Sequence, residues 1–136
     1  MIRHFSFLYR IVFGCFALSV ISCKYATNQD ISAIAPKMSY DAGNLIATLQ
    51  TTKEYDSETV IAVTGIVHEV NTINNRVTIL LKGNDEQENY IICDMDSNQT
   101  HKIKTIQKGD SLVIKGLLKG MLKDVIMLNC IIVKSE

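Results

Sequence analysis

The stretch Thr59-Val60-Ile61-Ala62-Val63-Thr64-Gly65-Ile66-Val67-His68-Glu69-Val70 decides the fold class. It is dominated by β-branched residues, which suit a pleated, half-buried surface and lose side-chain freedom in a helix. Gly65, in its middle, marks a bend or a bulge. Beyond it, Asn74-Asn75 is a turn signal, and Val77, Ile79 and Leu81 then alternate with Arg76, Thr78 and Leu80. The polar run Lys82 to Glu88 reads as a loop and Tyr90 to Met95 as a third strand. Ser97 is placed to cap a short helix carrying Ile103 and Ile106, which ends at Lys108-Gly109-Asp110 with a glycine where a helix C-terminus needs one. Leu112 to Leu118 is a fourth strand, with Gly116 and Gly120 near its end, and Val125 to Val133 is the fifth and most apolar.

On the N-terminal side the period changes. Ser39 is a candidate N-cap, and Ala42, Leu45, Ile46 and Leu49 follow at i, i+3, i+4 and i+7, the stripe of a short amphipathic helix. Gly43 weakens that helix by about 1 kcal/mol relative to alanine, so packing must support it. Lys24 to Lys37 is polar, lacks apolar periodicity and holds the only proline, Pro36, which reads as a tether. Before it, Arg3 and Arg10 precede an apolar run, Ile11 to Ser22, of signal-peptide length and too short to span a bilayer. The ending Val20-Ile21-Ser22-Cys23 resembles the lipobox of bacterial lipoproteins. That resemblance implies a signal peptide at 1–22, a Cys23 thiol carrying diacylglyceryl (palmitate-type chains), a lipidated tether at 23–38 and a domain at 39–136. Two or more buried acyl chains suffice for stable attachment, at about 0.8 kcal/mol per methylene.

Removal of 22 residues from 136 leaves 114, enough for one modest domain. All four phenylalanines leave with the signal, as do two of the 14 basic residues, so 12 bases face 14 acids. The balance excludes the strongly basic footprint of a nucleic-acid binder. Five short strands with a helix between the third and fourth follow the order of the OB-fold, a five-stranded Greek-key barrel. The expected fold is therefore all-β with short helices, an OB-fold barrel preceded by an amphipathic helix.

A narrower resemblance rests on an ordered set of segments. These are Val63-Thr64-Gly65-Ile66-Val67, Ile92-Cys93-Asp94-Met95, Lys108-Gly109-Asp110-Ser111-Leu112-Val113-Ile114-Lys115-Gly116, Gly120, and Asp124-Val125-Ile126-Met127-Leu128-Asn129-Cys130. Together they resemble the tRNA_anti-like family of bacterial OB-fold proteins, many of them lipoproteins. The resemblance covers about residues 39–134 and implies a fold, not an activity.

OB-folds hold single-stranded nucleic acid with a basic groove and aromatic platforms, each worth about 1–3 kcal/mol per stacked base. Here Tyr90 is the lone strand aromatic, and Glu69, Asp94 and Asp124 are interleaved with Arg76, Lys115, Lys119 and Lys123. No catalytic residues, cofactor or metal are expected. His68 and His101 lack ligand partners at metal spacing, Asp94 and Asp96 lack the rest of a calcium loop, and no G-x-S-x-G turn is present. Cys93 and Cys130 form the one internal constellation. Ile91, Cys93 and Met95 share an apolar face, as do Ile126, Leu128, Cys130 and Ile132. The third and fifth strands of an OB-fold are neighbours, so the two thiols are a candidate disulfide in an oxidising compartment. Two buried reduced thiols packing as small hydrophobes are the alternative.

The expected protein is thus a lipid-anchored binding or interaction module of the bacterial cell envelope, not an enzyme. Its partners are the membrane, through the lipid, and an envelope protein or small ligand. Lys24 rather than aspartate follows Cys23, which by the usual lipoprotein sorting rule permits the outer membrane, facing the periplasm. Nucleic acid or another polyanion is the second reading.

Overall fold

The computed structural model describes residues 30–136 other than Lys53, Asp85 and Glu136. The expected signal peptide, Cys23 and the first part of the tether lie outside the described residues. The elements are β1 (Met38–Asp41), α1 (Ala42–Thr51), β2 (Thr59–Ile73), β3 (Arg76–Lys82), β4 (Ile91–Met95), α2 (Thr100–Ile103), β5 (Ser111–Met121) and β6 (Val125–Ser135). Strand order is β1-β2-β3-β4-β6-β5, and a β2–β5 pairing closes the last five into a barrel. The β4–β6 and β1–β2 pairings are parallel and the rest antiparallel. This is the expected OB-fold barrel, with one additional strand. Among the described residues no helix is long and apolar enough to cross a membrane.

Closure depends on β2 serving two neighbours. Thr59 to Ile66 pairs with β5, and Ile66 to Ile73 pairs with β3. Gly65 sits at that exchange. A Cβ there would lie 3.0 Å from Ala42 Cβ and 3.1 Å from Leu81 Cβ, so glycine lets α1 and β3 close on the strand. The bulge is not at Gly65 but between Val67 and Glu69, which makes His68 the extra residue. The β2–β3 turn is as expected: Asn74 and Asn75 both have positive φ, 49° and 63°, the conformation of a two-residue type I′ hairpin.

Helix α1 buries Ala42, Leu45, Ile46 and Leu49, the stripe read from the sequence. Its cap differs. Ser39 lies in β1, held by its parallel pairing with β2, and Asp41 caps instead, its carboxylate accepting from Gly43 N at 2.9 Å. Likewise Asp96, not Ser97, opens the second helical region by accepting from Asn98 N. That region is a 3-10 turn followed by the short α2, so Ile106 lies beyond it. Gly109 (φ 96°) belongs to a separate turn in which Asp110 N donates to Gln107 O, a positive φ where a type II turn requires it.

The phase of β6 is also corrected. Val125 and Met127 face the core, as do Cys130 and Ile132, whereas Ile126 and Leu128 are half-buried on the outside. Asn129, at φ 52°, inserts a residue that reverses the alternation. Simple period-two counting from Cys130 therefore assigned its neighbours to the wrong face.

Within the segment expected as a tether, residues 31–34 and Lys37 touch the barrel. A 3-10 turn at Ile31–Ala33 buries Ile31. Lys115, only 8% exposed, donates from Nζ to Ser32 O at 3.0 Å and Ile34 O at 2.9 Å. Lys37 N then bonds Val60 O. The segment crosses the outside of β6 and β5 before joining β2 as β1.

Gly116 approaches Cys130 closely: a Cβ on it would lie 2.6 Å from Cys130 Sγ and 3.2 Å from Leu128 O. Gly116→Ala is expected to destabilise the domain by about 1–3 kcal/mol, the usual cost of overpacking. Cys130→Ala in the same chain should recover part of that loss. Urea denaturation of the single and double variants checks it; an unperturbed Gly116→Ala would contradict the packing.

Candidate functional site

The barrel offers one broad outer face, built from β2, β3, β4 and β6. Side chains alternate across a strand, so those facing away from the core form rows perpendicular to the strands. One such row follows the register Glu69, Leu80, Ile92, Ile126, and a second follows Asn71, Thr78, Asp94. Leu80, Ile92, Ile126 and Leu128 are half-buried on it, an apolar band left partly open to solvent. A shallow concavity of about 480 Å³ lies here, lined by Asn71, Ile73, Asn74, Arg76, Thr78, Ile92, Asp94, Ile126 and Leu128 among others. Its flanking turns are tight. Asn74-Asn75 joins β2 to β3, and Leu122-Lys123-Asp124 joins β5 to β6.

The borders of the face are fixed by hydrogen bonds. Tyr90 N donates to Asp124 Oδ1 at 2.9 Å, Val125 N to Tyr90 O at 3.0 Å, and Asn89 Nδ2 to Lys123 O at 2.8 Å. The His68 ring stacks on Tyr90, with centroids 4.5 Å apart and an interplanar angle of 24°. Sequence reasoning missed this pair. The β2 bulge breaks the alternation at His68, and nothing in the periodicity signals which way that residue turns.

The basic residues singled out from the sequence do not assemble into a groove. Arg76 pairs with Asp94, Lys119 with Glu58, and Lys115 is enclosed by the N-terminal segment. The Lys119 ammonium holds the Glu58 carboxyl below its ordinary range. Lys123 sits in the β5–β6 turn. The candidate metal and acid–base residues are likewise dispersed. Asp94 is engaged by Arg76, Asp96 caps a backbone N–H, and His101 is exposed on α2. Among the described residues no group of three or more His, Cys, Asp or Glu is placed to hold a metal ion.

Cys93 and Cys130 are brought together. Both are fully buried free thiols, and in the β4–β6 ladder Cys93 pairs with Met127 and Met95 with Cys130. The hydrogen bond with Cys93 is the first cause, and burial the second, of a Cys130 thiol pushed well above the usual thiol range.

The tRNA_anti-like family model matches residues 2–132. None of the curated proteins matches the sequence. Among solved structures, the chain is similar to a chain of the S. pombe Stn1-ten1 complex, with 9% identity, TM-score 0.42, and 57% of this chain and 56% of that one covered. It is also similar to OBody NL8 bound to hen egg-white lysozyme, with 14% identity, TM-score 0.42, and 56% and 94% covered. A third is Entamoeba histolytica asparaginyl-tRNA synthetase in complex with asparaginyl-adenylate, with 11% identity, TM-score 0.49, and 75% and 25% covered. The chain thus spans about half the length of the first of these and a quarter of the synthetase.

Proposed function

We propose that this chain, which belongs to the tRNA_anti-like family, is a non-enzymatic binding module, anchored to the bacterial cell envelope by lipid on Cys23, that takes an envelope protein or a small ligand on its outer face. The observation that carries the binding reading is the band Leu80, Ile92 and Ile126, half-buried across three strands beside a concavity of about 480 Å³. Apolar surface of this kind is removed from water by a partner with matching apolar groups, at about 25 cal/mol per Å² buried. The anchor reading is supported by the Val20-Ile21-Ser22-Cys23 ending, with Lys24 permitting the outer membrane and a domain facing the periplasm.

Single-stranded nucleic acid or another polyanion is the second reading, and the His68–Tyr90 stack is the observation that favours it. It supplies an aromatic pair at the rim of the face. Against it, Arg76 and Lys119 are already paired with carboxylates, and the flanking turns are too short to wrap a strand. Phosphate contacts supply most non-specific affinity, so the face lacks the main driving term.

Four measurements test these readings and one further proposal about the core thiols. Wild-type protein is expected to carry a diacylglyceryl mass on its Cys23 N-terminal peptide, and Cys23→Ala to appear uncleaved or soluble; a membrane-bound wild type without that mass overturns the anchor. For the face, crosslinking in intact cells followed by mass spectrometry should capture an envelope partner that Ile126→Arg loses while remaining folded. Binding to single-stranded DNA tighter than about micromolar at roughly 150 mM salt, and weakened by Tyr90→Ala, would put the second reading first. For the core thiols, we propose that Cys93 and Cys130 close a disulfide in an oxidising compartment, worth typically about 2–4 kcal/mol. Thiol labelling of denatured, unreduced protein should then find neither free, and two free thiols would rule the bridge out.

A further inference from the structure

A second opening in the molecule lies where α1 packs on the sheet. A cavity of about 170 Å³ is enclosed there by that helix, the 54–56 loop and strands β1, β2 and β5. It shares no residue with the concavity on the outer face. Its floor is Leu45, Leu49, Ile61 and Leu118, all buried, and the exposed lining residues Met38 and Thr48 mark its mouth. A cavity of roughly 150 Å³ holds a benzene ring, so this one has room for a single leucine or phenylalanine side chain. Two bonds tie down the 54–56 loop that forms one wall. The Lys37 ammonium donates to the Asp56 carboxylate at 2.8 Å, and the Tyr55 hydroxyl accepts from Met121 N at 3.4 Å.

Beside the cavity runs an open strand edge. β1 stands at the end of the sheet order and pairs with β2 alone, so among the described residues no strand lies against its other edge. A strand in that position presents a row of N–H and C=O groups to whatever approaches. Met38 and Tyr40 alternate along β1 and both line the cavity, so a strand added to β1 would present its own alternate side chains on that same face. Met38 is 50% exposed at the mouth, and its unbranched thioether can adapt to an incoming apolar group.

The two features need each other. Four residues of edge offer few main-chain bonds, which is how short edges avoid indiscriminate pairing. The cavity alone is an apolar pocket that gives a ligand no direction. An acyl chain or a small hydrocarbon would fill it and leave the edge unpaired, whereas an extended polypeptide satisfies both. We propose that β1 and this cavity together form a docking site, separate from the outer face, for an extended segment of a partner protein. The segment adds to β1 as a strand and places one leucine- or phenylalanine-sized side chain in the cavity. In this mode the main-chain bonds hold the segment and the pocket selects its sequence.

The test uses isotopically labelled full-length protein and short peptides of threonine and serine with one central variable residue. One peptide carries leucine at the centre, one alanine, and one leucine with the flanking amides N-methylated. The leucine peptide is expected to shift the amide signals of residues 38–41 and to slow their hydrogen exchange. The alanine and N-methylated peptides should bind at least about tenfold more weakly. Thr48→Trp, at an exposed position where the larger ring fills the mouth, should abolish the shifts while the rest of the spectrum stays folded. No shift at 38–41 with about millimolar leucine peptide, or shifts confined to the outer face, overturns the proposal. Equal binding of the N-methylated peptide overturns it too, because the cavity would then take an apolar group with no strand added. Equal binding of the alanine peptide removes the cavity from the site and is equally fatal.

Discussion

This sheet closes into a barrel through β2, a single long strand that hydrogen-bonds β5 along one half of its length and β3 along the other. Its fifteen residues pair with β5 up to Ile66 and with β3 from Ile66 onward. The transfer brings neighbours close at Gly65, where Ala42 of α1, Leu81 of β3 and the Lys82 carbonyl would have to give way to admit even a Cβ. The first turn of α1 is therefore positioned by the same residue that closes the barrel. The bulge at His68 follows two residues after Ile66, increases the local twist, and turns His68 towards Tyr90.

What could be read from the sequence was whatever obeys a period. The apolar stripe of α1, the alternation of β3 and β4, and the Asn74-Asn75 hairpin all follow from residue order and local sterics. The failures have a common physical cause, which is that a single residue or a tertiary pairing overrode a local pattern. Asn129 adopts a left-handed conformation and shifts the phase of β6, so Ile126 and Leu128 moved from the expected core to the outer face. Met38 to Asp41 had too few residues to show alternation, and their strand identity comes from pairing with β2. Those shifts matter for the candidate site, because Ile126 and Leu128 supply part of its apolar band. Half of the site was thus hidden behind one asparagine.

Charge on this molecule is arranged mainly to be spent internally. Arg76 meets Asp94 on the outer face, Lys119 meets Glu58, and Lys37 meets Asp56. Such exposed pairs contribute little to stability, of order 0–1 kcal/mol. Their consequence is recognition: each leaves fewer unpaired cations for a phosphate backbone to neutralise. Lys115 is the exception in kind. With its amine bonded to two backbone carbonyls and nearly removed from solvent, it stitches residues 32 and 34 to β5, and removing it would leave those acceptors without that donor.

The two surfaces that remain are different in chemistry and sit on different parts of β6. The N-terminal half of that strand presents Ile126 and Leu128 to the apolar outer face, and its C-terminal half carries Val133 and Lys134 to a shallow cavity beside α2. Between them lies Asn129, whose left-handed backbone turns the strand over. Without that inversion, unbroken alternation from Cys130 would carry Ile126 and Leu128 into the core and turn Met127 outward, dismantling the apolar band. One conformational irregularity therefore keeps the thiol of Cys130 in the core and the apolar band outside it on a single strand. Regular alternation already puts Val125 and Met127 inside and Ile126 and Leu128 outside; the residue inserted at Asn129 lets Cys130 and Ile132, an odd number of positions further along, face the core as well.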